Sequence, residues 1–402
     1  TLVAQCQAWM TPERYRDYDR ARNGLQVENR GQVRKIVAAV DASLATVRRA
    51  AASGADLMVV HHGLFWSETR PWTGPRMALI RALLEADMAE HGAAIADARG
   101  VAHKLGIPHY VVDEADNFEK IVIDYFASEY RLGRTPNPCV MCNEHLKFGK
   151  LRDKAKALGA DFIATGHYAI IEHHADHAVL KKGRDARKDQ SYFLFSLSQD
   201  QLQHALTPLG GMEKSEIREI ARGIGLKVAD KVDSQEICFV PGNDYKAFLK
   251  GHLGEGEFHP GSIYDTQGNF IAKHEGIEMF TIGQRKGLPG GSPKPRYVVD
   301  IDPETSSVIV GDEEDLVREE FEVDRVNWLR GEPEGTERIS VKIRYAHPGT
   351  EASIQALPGH KAKIQLDTPQ RAVTPGQAAV FYDGDIVVGG GWIVRQPAPV
   401  PA

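Results

Sequence analysis

The chain has little cysteine, four residues in 402, which excludes a disulfide framework as the source of its stability. It has no apolar run approaching the ~20 residues that a membrane-crossing helix needs, so no membrane partner is expected. Its start, Thr1-Leu2-Val3-Ala4-Gln5-Cys6, lacks the basic, apolar and small-residue order of an export signal. It also lacks a methionine, which reads as a processed or incomplete N-terminus. The expected setting is the cytoplasm, where a close pair of cysteines serves redox, catalytic or metal chemistry. Positive charge is not in excess: the formal net charge is −6. That argues against indiscriminate nucleic-acid binding and leaves room for a local basic patch. What is present, 42% hydrophobic and 26% charged residues, suits a soluble protein of two or three packed domains.

Three of the four cysteines lie in two places. Cys139 and Cys142 form a C-x-x-C within Gly133-Arg134-Thr135-Pro136-Asn137-Pro138-Cys139-Val140-Met141-Cys142-Asn143, and Cys238 lies in Asp233-Ser234-Gln235-Glu236-Ile237-Cys238-Phe239-Val240. Apolar spacing through Leu146, Leu151, Ala155 and Leu158 predicts a helix over 144–158, with Asn143 as N-cap and Gly159 as its stop. Pro136 and Pro138 are expected to hold the approach extended. Cys142 would then stand at a helix N-terminus, where the dipole favours a thiolate. Spacing alone leaves a structural zinc half-site or a buried cysteine pair open beside a reactive thiol. Two cysteine sites far apart in sequence but meeting in space suit a thiol relay, in which one thiolate attacks or carries sulfur and the other resolves.

Around these sites the chain alternates strands and helices. A buried strand over 35–40, a helix over 44–53 and a strand over 56–60 form a βαβ unit, which runs into His61-His62-Gly63 at the edge where such sheets bind ligands. The two imidazoles read as metal ligands or as a polar loop end. A helix over 94–105, a strand over 108–113, a helix over 118–130 and a buried strand over 161–164 imply a further parallel sheet. This last strand ends in Thr165-Gly166-His167-Tyr168, where Gly166 admits close approach of a ligand and His167 is a phosphate or base contact or a structural residue. Lys181 to Phe193 then sets five basic residues beside aromatics, fit for a phosphate backbone next to a stacking surface or for a solvated loop. His173, His174 and His177 read as a hairpin tip. Beyond a helix over 244–253 and a strand–turn–strand over 261–269, Arg285 and Lys286 sit in a glycine turn. Short alternating runs from Phe321 onward indicate a small β-barrel, and the tail after 395 reads as disordered.

From about 91 to 395 the chain resembles the bacterial tRNA-specific 2-thiouridylase family (MnmA type). The resemblance is carried by Arg134 to Asn143, Ala164 to Tyr168, Lys188 to Phe193, Asp233 to Val240, Thr281 to Leu288 and Thr374 to Gln377. It implies an adenine-nucleotide-hydrolase-like α/β domain over 91–244 lacking its first βαβ, a central tRNA-binding α+β domain over 245–312, a C-terminal β-barrel over 313–395 and a tail over 396–402. It also implies ATP-dependent transfer of sulfur from a cysteine persulfide to carbon 2 of the tRNA wobble uridine, fed by a persulfide donor or relay protein, with a disulfide bond formed along the way. Carried over by position, Cys142 is the nucleophile and Cys238 bears the persulfide. Asn137, Pro138 and Cys139 meet the target base, and Gly166 touches ATP. His167, Lys188, Asp189, Gln190, Arg344, Tyr345 and Gln377 touch tRNA. Cys139, Cys142 and Cys238 together are candidates for a [4Fe-4S] cluster. The family's opening Ser-Gly-Gly-x-Asp-Ser phosphate loop has no counterpart in this sequence, so adenylation is expected to be impaired.

Residues 1–88 resemble instead the start of the dinuclear-metal GTP cyclohydrolase type 2 homologues, through Asn23 to Val27, Ala39 to Ser43, Gly54 to Leu57 and His61 to Trp66. They form a truncated α/β fragment ending near 90. Only His61 and His62 of that family's ligands find a match, and two histidines do not fill a two-metal site. A tRNA-binding module without adenylation and a metal-dependent hydrolase are the competing functional readings.

Overall fold

The computed structural model describes residues 24–27, 29, 33–62, 74–85, 89–92, 101–102, 104–107, 112, 114–226, 229–230, 237–254, 256–289 and 294–396. The strand expected over 108–113, most of the helix over 94–105, the stretch 231–236 and the tail beyond Gln396 lie outside them. The chain forms two compact units. One holds the residues up to Asp113 with Gly225–Val228, and the other holds Glu114–Ile224 and everything from Ala229 on.

In the first unit β1 (Gly24–Val27), β2 (Ile36–Asp41), α1 (Leu44–Ala52), β3 (Leu57–His62), α2 (Gly74–Glu85) and β4 (Ala89–Gly92) build a four-stranded sheet of order β1-β4-β3-β2. β2 and β3 run parallel from Ile36 opposite Leu57 to Asp41 opposite His62, as a βαβ unit demands. Ser43 caps α1 by accepting the Thr46 N–H at 3.2 Å, and Val47 and Ala50 pack against Met58, Val60 and Leu83. The first strand is not buried as its apolar run implies. β2 is the sheet edge, and Ile36 is 50% exposed.

In the second unit α3 is one helical run through Ala115–Phe118, a π-helical turn Glu119–Ile123 and Asp124–Arg131. α4 runs through Pro138–Met141, a π-helical stretch Cys142–Lys150 and Leu151–Ala157. Next come β5 (Ile163–Ala164), the hairpin β6 (Ala169–His173) and β7 (Ala178–Lys182), α5 (Gln199–Gln203), β8 (Ala205–Leu206) and α6 (Lys214–Gly223). Among the described residues the parallel sheet expected here consists of β5 beside β8, two residues each. The buried strand over 161–164 shrinks to its last half, with Phe162 49% exposed. The hairpin tip is confirmed: His174 donates its N–H to His177 O at 2.8 Å, and their rings stack 4.7 Å apart.

After α7 (Tyr245–Leu253), β9 (Gly261–Asp265), β10 (Phe270–His274), β11 (Tyr297–Asp302) and β12 (Ser307–Gly311) form a small sheet of order β10-β9-β12-β11. The barrel follows as β13 (Val317–Trp328), β14 (Thr336–Lys342), β15 (Thr350–Leu357), β16 (Lys361–Arg371), β17 (Ala378–Asp383) and β18 (Ile386–Ile393). The pairing of β13 with β18 closes these six strands. Along β16 Ala362, Ile364 and Leu366 alternate inward. β17 is buried on both faces: Ala379 and Phe381 enter the barrel, while Ala378, Val380 and Tyr382 pack outside it against Val140, Phe148, Leu180 and Tyr192. That second core locks α4 and the hairpin onto the barrel. Among the described residues no helix is long and apolar enough to cross a membrane.

Candidate active site

Local chain chemistry sets the cysteines. Pro138 occupies the first turn of α4, where its missing N–H leaves nothing unsatisfied and its φ suits a helix. The helix therefore starts at Pro138 with Asn137 at the N-cap, six residues earlier than the Asn143 cap read from sequence. Pro138 opens the helix instead of holding the chain extended. Cys139 lies in the first turn and Cys142 a turn further in, so Cys142 is not at the helix N-terminus. Its thiol is pushed up from the ordinary value, chiefly by burial and further by Cys238, with Lys147 opposing. Cys139 is pushed up to about 11 by burial, then by Cys238 and Cys142, again with Lys147 opposing. Both thiols touch the surface, Cys139 exposed and Cys142 half-exposed, yet dense packing around them removes solvation. Cys238, exposed in the 237–240 segment, is close enough to raise both. The fold thus brings Cys238 near the Cys139–Cys142 pair, about a hundred residues away in sequence.

No disulfide joins the three thiols. The only described group whose ligand atoms converge within 4.8 Å is Glu119, Asp124 and His252. The three cysteine sulfurs do not form a group of that kind among the described residues. An iron–sulfur cluster requires thiolates. Burial raises both Cys139 and Cys142 from their ordinary values, and metal binding itself takes the proton from a coordinating thiol.

The approach to the cysteines is tied to the barrel. Thr135 N–H donates to Pro375 O at 2.8 Å, and Gln377 Nε2 donates to Thr135 O and Pro136 O at 3.1 Å each. Gly376 has φ +84°, and a Cβ there would stand 2.9 Å from Arg134 Cβ and 3.0 Å from Thr135 O, so glycine is required. Asn137 is buried and its side chain meets the Tyr192 hydroxyl, which also donates to Ala378 O at 2.9 Å. Of Asn137, Pro138 and Cys139, only Cys139 is exposed.

Beside this lies a basic and aromatic face. Asp189, buried, accepts from Gly183 N–H, Ser191 N–H and Ser191 Oγ at 3.0 Å each. Asp185, also buried, accepts from Arg187 N–H and Lys214 N–H at 3.1 Å. These two carboxylates fold the basic loop from within, and Gln190 joins them by accepting the Tyr168 N–H at 3.0 Å. Part of the loop's charge is already balanced, with Lys181 on Glu172 at 2.8 Å and Arg184 on Glu216 at 3.3 Å. Tyr345 lies 4.5 Å from the Phe193 ring with Lys342 over it at 6.0 Å, and Arg344 next to it is exposed. Cation and stacking surface thus stand together.

A model described as "tRNA methyl transferase HUP domain" matches residues 49–242, "tRNA methyl transferase PRC-barrel domain" matches 246–312 and "Aminomethyltransferase beta-barrel domain" matches 318–393. A fourth, "Duf34/NIF3 (NGG1p interacting factor 3)", matches 1–95. The tRNA-specific 2-thiouridylase MnmA 1 of Caldanaerobacter subterraneus subsp. tengcongensis is 51% identical over 75% of this chain and 84% of its own length. The MnmA of Moorella thermoacetica is 50% identical over 75% and 85%. The chain belongs to the tRNA-specific 2-thiouridylase family. Its N-terminal fragment is NIF3-like. A solved structure, TTHA1606 from Thermus thermophilus, is 26% identical with 30% of this chain and 60% of that one covered, at a TM-score of 0.23.

Of the remaining residues carried over from the thiouridylase family, Gly166 is exposed, and the nearest atom to a Cβ placed there is Leu209 Cδ1 at 3.7 Å. His167 is buried and bonded through Nδ1 to Thr165 Oγ1 at 2.8 Å. Burial, then the charge of Lys147, depresses it to about 4. It is neutral at physiological pH and offers a hydrogen bond, not a cation. His61 and His62 end β3, with the His62 backbone in register with Asp41. Sequence reasoning missed Lys147 and Tyr192, and read Asn143 as an N-cap where it is buried and bonded to Lys147 and Phe193 O. Tyr192 lay within a quoted motif. Lys147, five residues after Cys142, falls on the wrong face of the α-helix assumed there.

Proposed function

We propose that this chain transfers sulfur to carbon 2 of the wobble uridine of tRNA through Cys142 and Cys238. The observation that carries the reading is the meeting of Cys139, Cys142 and Cys238 at the start of α4, beside the basic and aromatic face of Lys342, Arg344, Tyr345 and Phe193. The activity named for the two relatives is the same one. In the reaction a donor loads sulfur onto Cys238 as a persulfide, and ATP activates the uridine C2 oxygen as an adenylate. The terminal persulfide sulfur bonds to C2, the adenylate oxygen leaves with AMP, and the Cys142 thiolate takes the inner sulfur as the S–S bond breaks. The product is a Cys142–Cys238 disulfide, which a thiol reductant reopens. Asn137 and Pro138 shape the base pocket through the backbone, with Cys139 facing the base. Lys188, Asp189, Gln190, His167, Arg344, Tyr345 and Gln377 hold the RNA directly or through the loops they fix. ATP is a substrate that Gly166 admits. The domain limits at 90, 244, 312 and 395 and a cytosolic setting belong to the same reading.

The Ser-Gly-Gly-x-Asp-Ser order of the family's phosphate loop is not found in residues 1–402, and backbone N–H groups at such a loop are what hold a triphosphate. The sulfur and ATP halves are therefore tested apart. After treatment with a persulfide donor, mass spectrometry should find the added sulfur on Cys238, and Cys142→Ser should block thiolation of tRNA. Thiolation by Cys142→Ser overturns the nucleophile assignment. The proposed reaction requires tRNA-dependent ATP–pyrophosphate exchange; its absence would reduce the chain to a tRNA-binding module without adenylation.

A further inference from the structure

The winding of α4 after Cys142 has a consequence for the thiol. Over Cys142–Lys150 the helix carries i→i−5 bonds, as in the Leu151 N–H donating to Leu146 O. In such a stretch residues five apart stack on one face, whereas 3.6 residues per turn would swing them apart. Lys147 is five residues from Cys142 and so comes onto the cysteine face. The winding is held from outside: Gln201 Nε2 donates to Glu144 O at 2.8 Å and Phe148 O at 3.1 Å. The ammonium is held as well. Lys147 Nζ donates to Asn143 Oδ1 at 2.9 Å, and buried Asn143 is itself fixed by donating Nδ2 to Phe193 O at 3.1 Å.

We propose that Lys147 is the positioning cation that favours the thiolate of Cys142 against burial when that thiol attacks, in the place where a helix N-terminus would otherwise serve. The charged and titratable groups facing Cys142 are Lys147 from its own helix and Cys238 from the 237–240 segment; Cys139, one turn earlier, faces the same lysine and the same Cys238. His167, from the turn after β5, feels the same ammonium and is neutral. Glu144 and His145, between Cys142 and Lys147 in sequence, pair with each other at 3.5 Å. Among the described residues Lys147 is thus the one positive group acting on both thiols of the C-x-x-C, against burial and neighbouring sulfur. An ammonium on a long stem is also replaceable without opening the core.

The proposal rests on the thiol chemistry above, but its readout is alkylation of the thiol, so the two fail separately. The full chain is alkylated with iodoacetamide from pH 6 to 11, and each cysteine is followed by peptide mass spectrometry. Lys147→Gln should move the Cys142 profile to higher pH and slow its alkylation at pH 7.5 by roughly three- to ten-fold, the effect of half to one pKa unit. Lys147→Arg should restore the rate to within about two-fold, since the charge is kept. An unchanged profile in Lys147→Gln, or an Arg variant as slow as the Gln variant, overturns the proposal. If Lys147→Gln does not fold, Lys147→Met, which keeps the apolar stem, gives the same reading.

Discussion

The barrel and the two-stranded α/β sheet belong to one compact unit but bury their apolar residues in different ways. In the barrel, β13 meets β18, every strand has two neighbours, and Phe321, Phe381 and Val341 are sealed inside. In the α/β sheet β5 and β8 pair over two residues, and Phe162 and Leu206 remain 49% and 39% exposed. Closure removes edges and an open parallel sheet keeps them. Cys139 and Cys142 stand where the two meet, on a helix whose inner face is buried against the barrel's outer wall. Stability near the thiols therefore comes from the barrel side.

The largest break in that contrast should come from Phe381→Ala. The ring is fully buried and lies 5.7 Å from Trp328, so its loss is expected to cost about 3–5 kcal/mol in urea unfolding. A cost below about 1 kcal/mol would mean the barrel is not the stable half. His167, at the end of β5, should give a smaller effect that depends on pH. Its folded pKa of about 4 lies below the ordinary 6.5. The unfolded chain therefore takes up a proton between those values that the folded chain refuses. Stability is fully present above pH 6.5 and is lost as pH falls towards 4, by on the order of 2 kcal/mol at pH 4.5. His167→Gln should remove that part of the acid sensitivity while leaving the rest. Equal slopes of stability against pH in both proteins would contradict the buried, neutral histidine.

The same contrast explains what could be read from sequence. Barrel strands announce themselves by local alternation: Ala362, Ile364 and Leu366 face in because each neighbour faces out. The α/β strand over 161–164 is apolar, but how far it extends depends on strands beside it, which no local pattern records. The cysteine segment was legible as chemistry and misread as geometry. The motif pointed to Cys142 and Cys238, yet the Asn143 cap was a worse start than Pro138, whose ring suits the first turn. Lys147 stayed hidden because π winding is imposed by Gln201 from another helix, and the α period puts it off the face. Asp185 and Asp189 looked like part of a charged run, and only their burial shows that they fold the loop from within.

The smallest expected effect is the sharpest test of the open sheet. Phe162 is half exposed, and its ring only grazes His173 at 6.1 Å and His204 at 6.4 Å. Phe162→Ala removes little buried area and should change stability by less than about 1 kcal/mol, the range of surface substitutions. A loss above about 2 kcal/mol in dilute solution would mean the ring is covered there by another segment or a second chain. Dilution then separates the two cases, since only cover by a second chain weakens as the protein concentration falls.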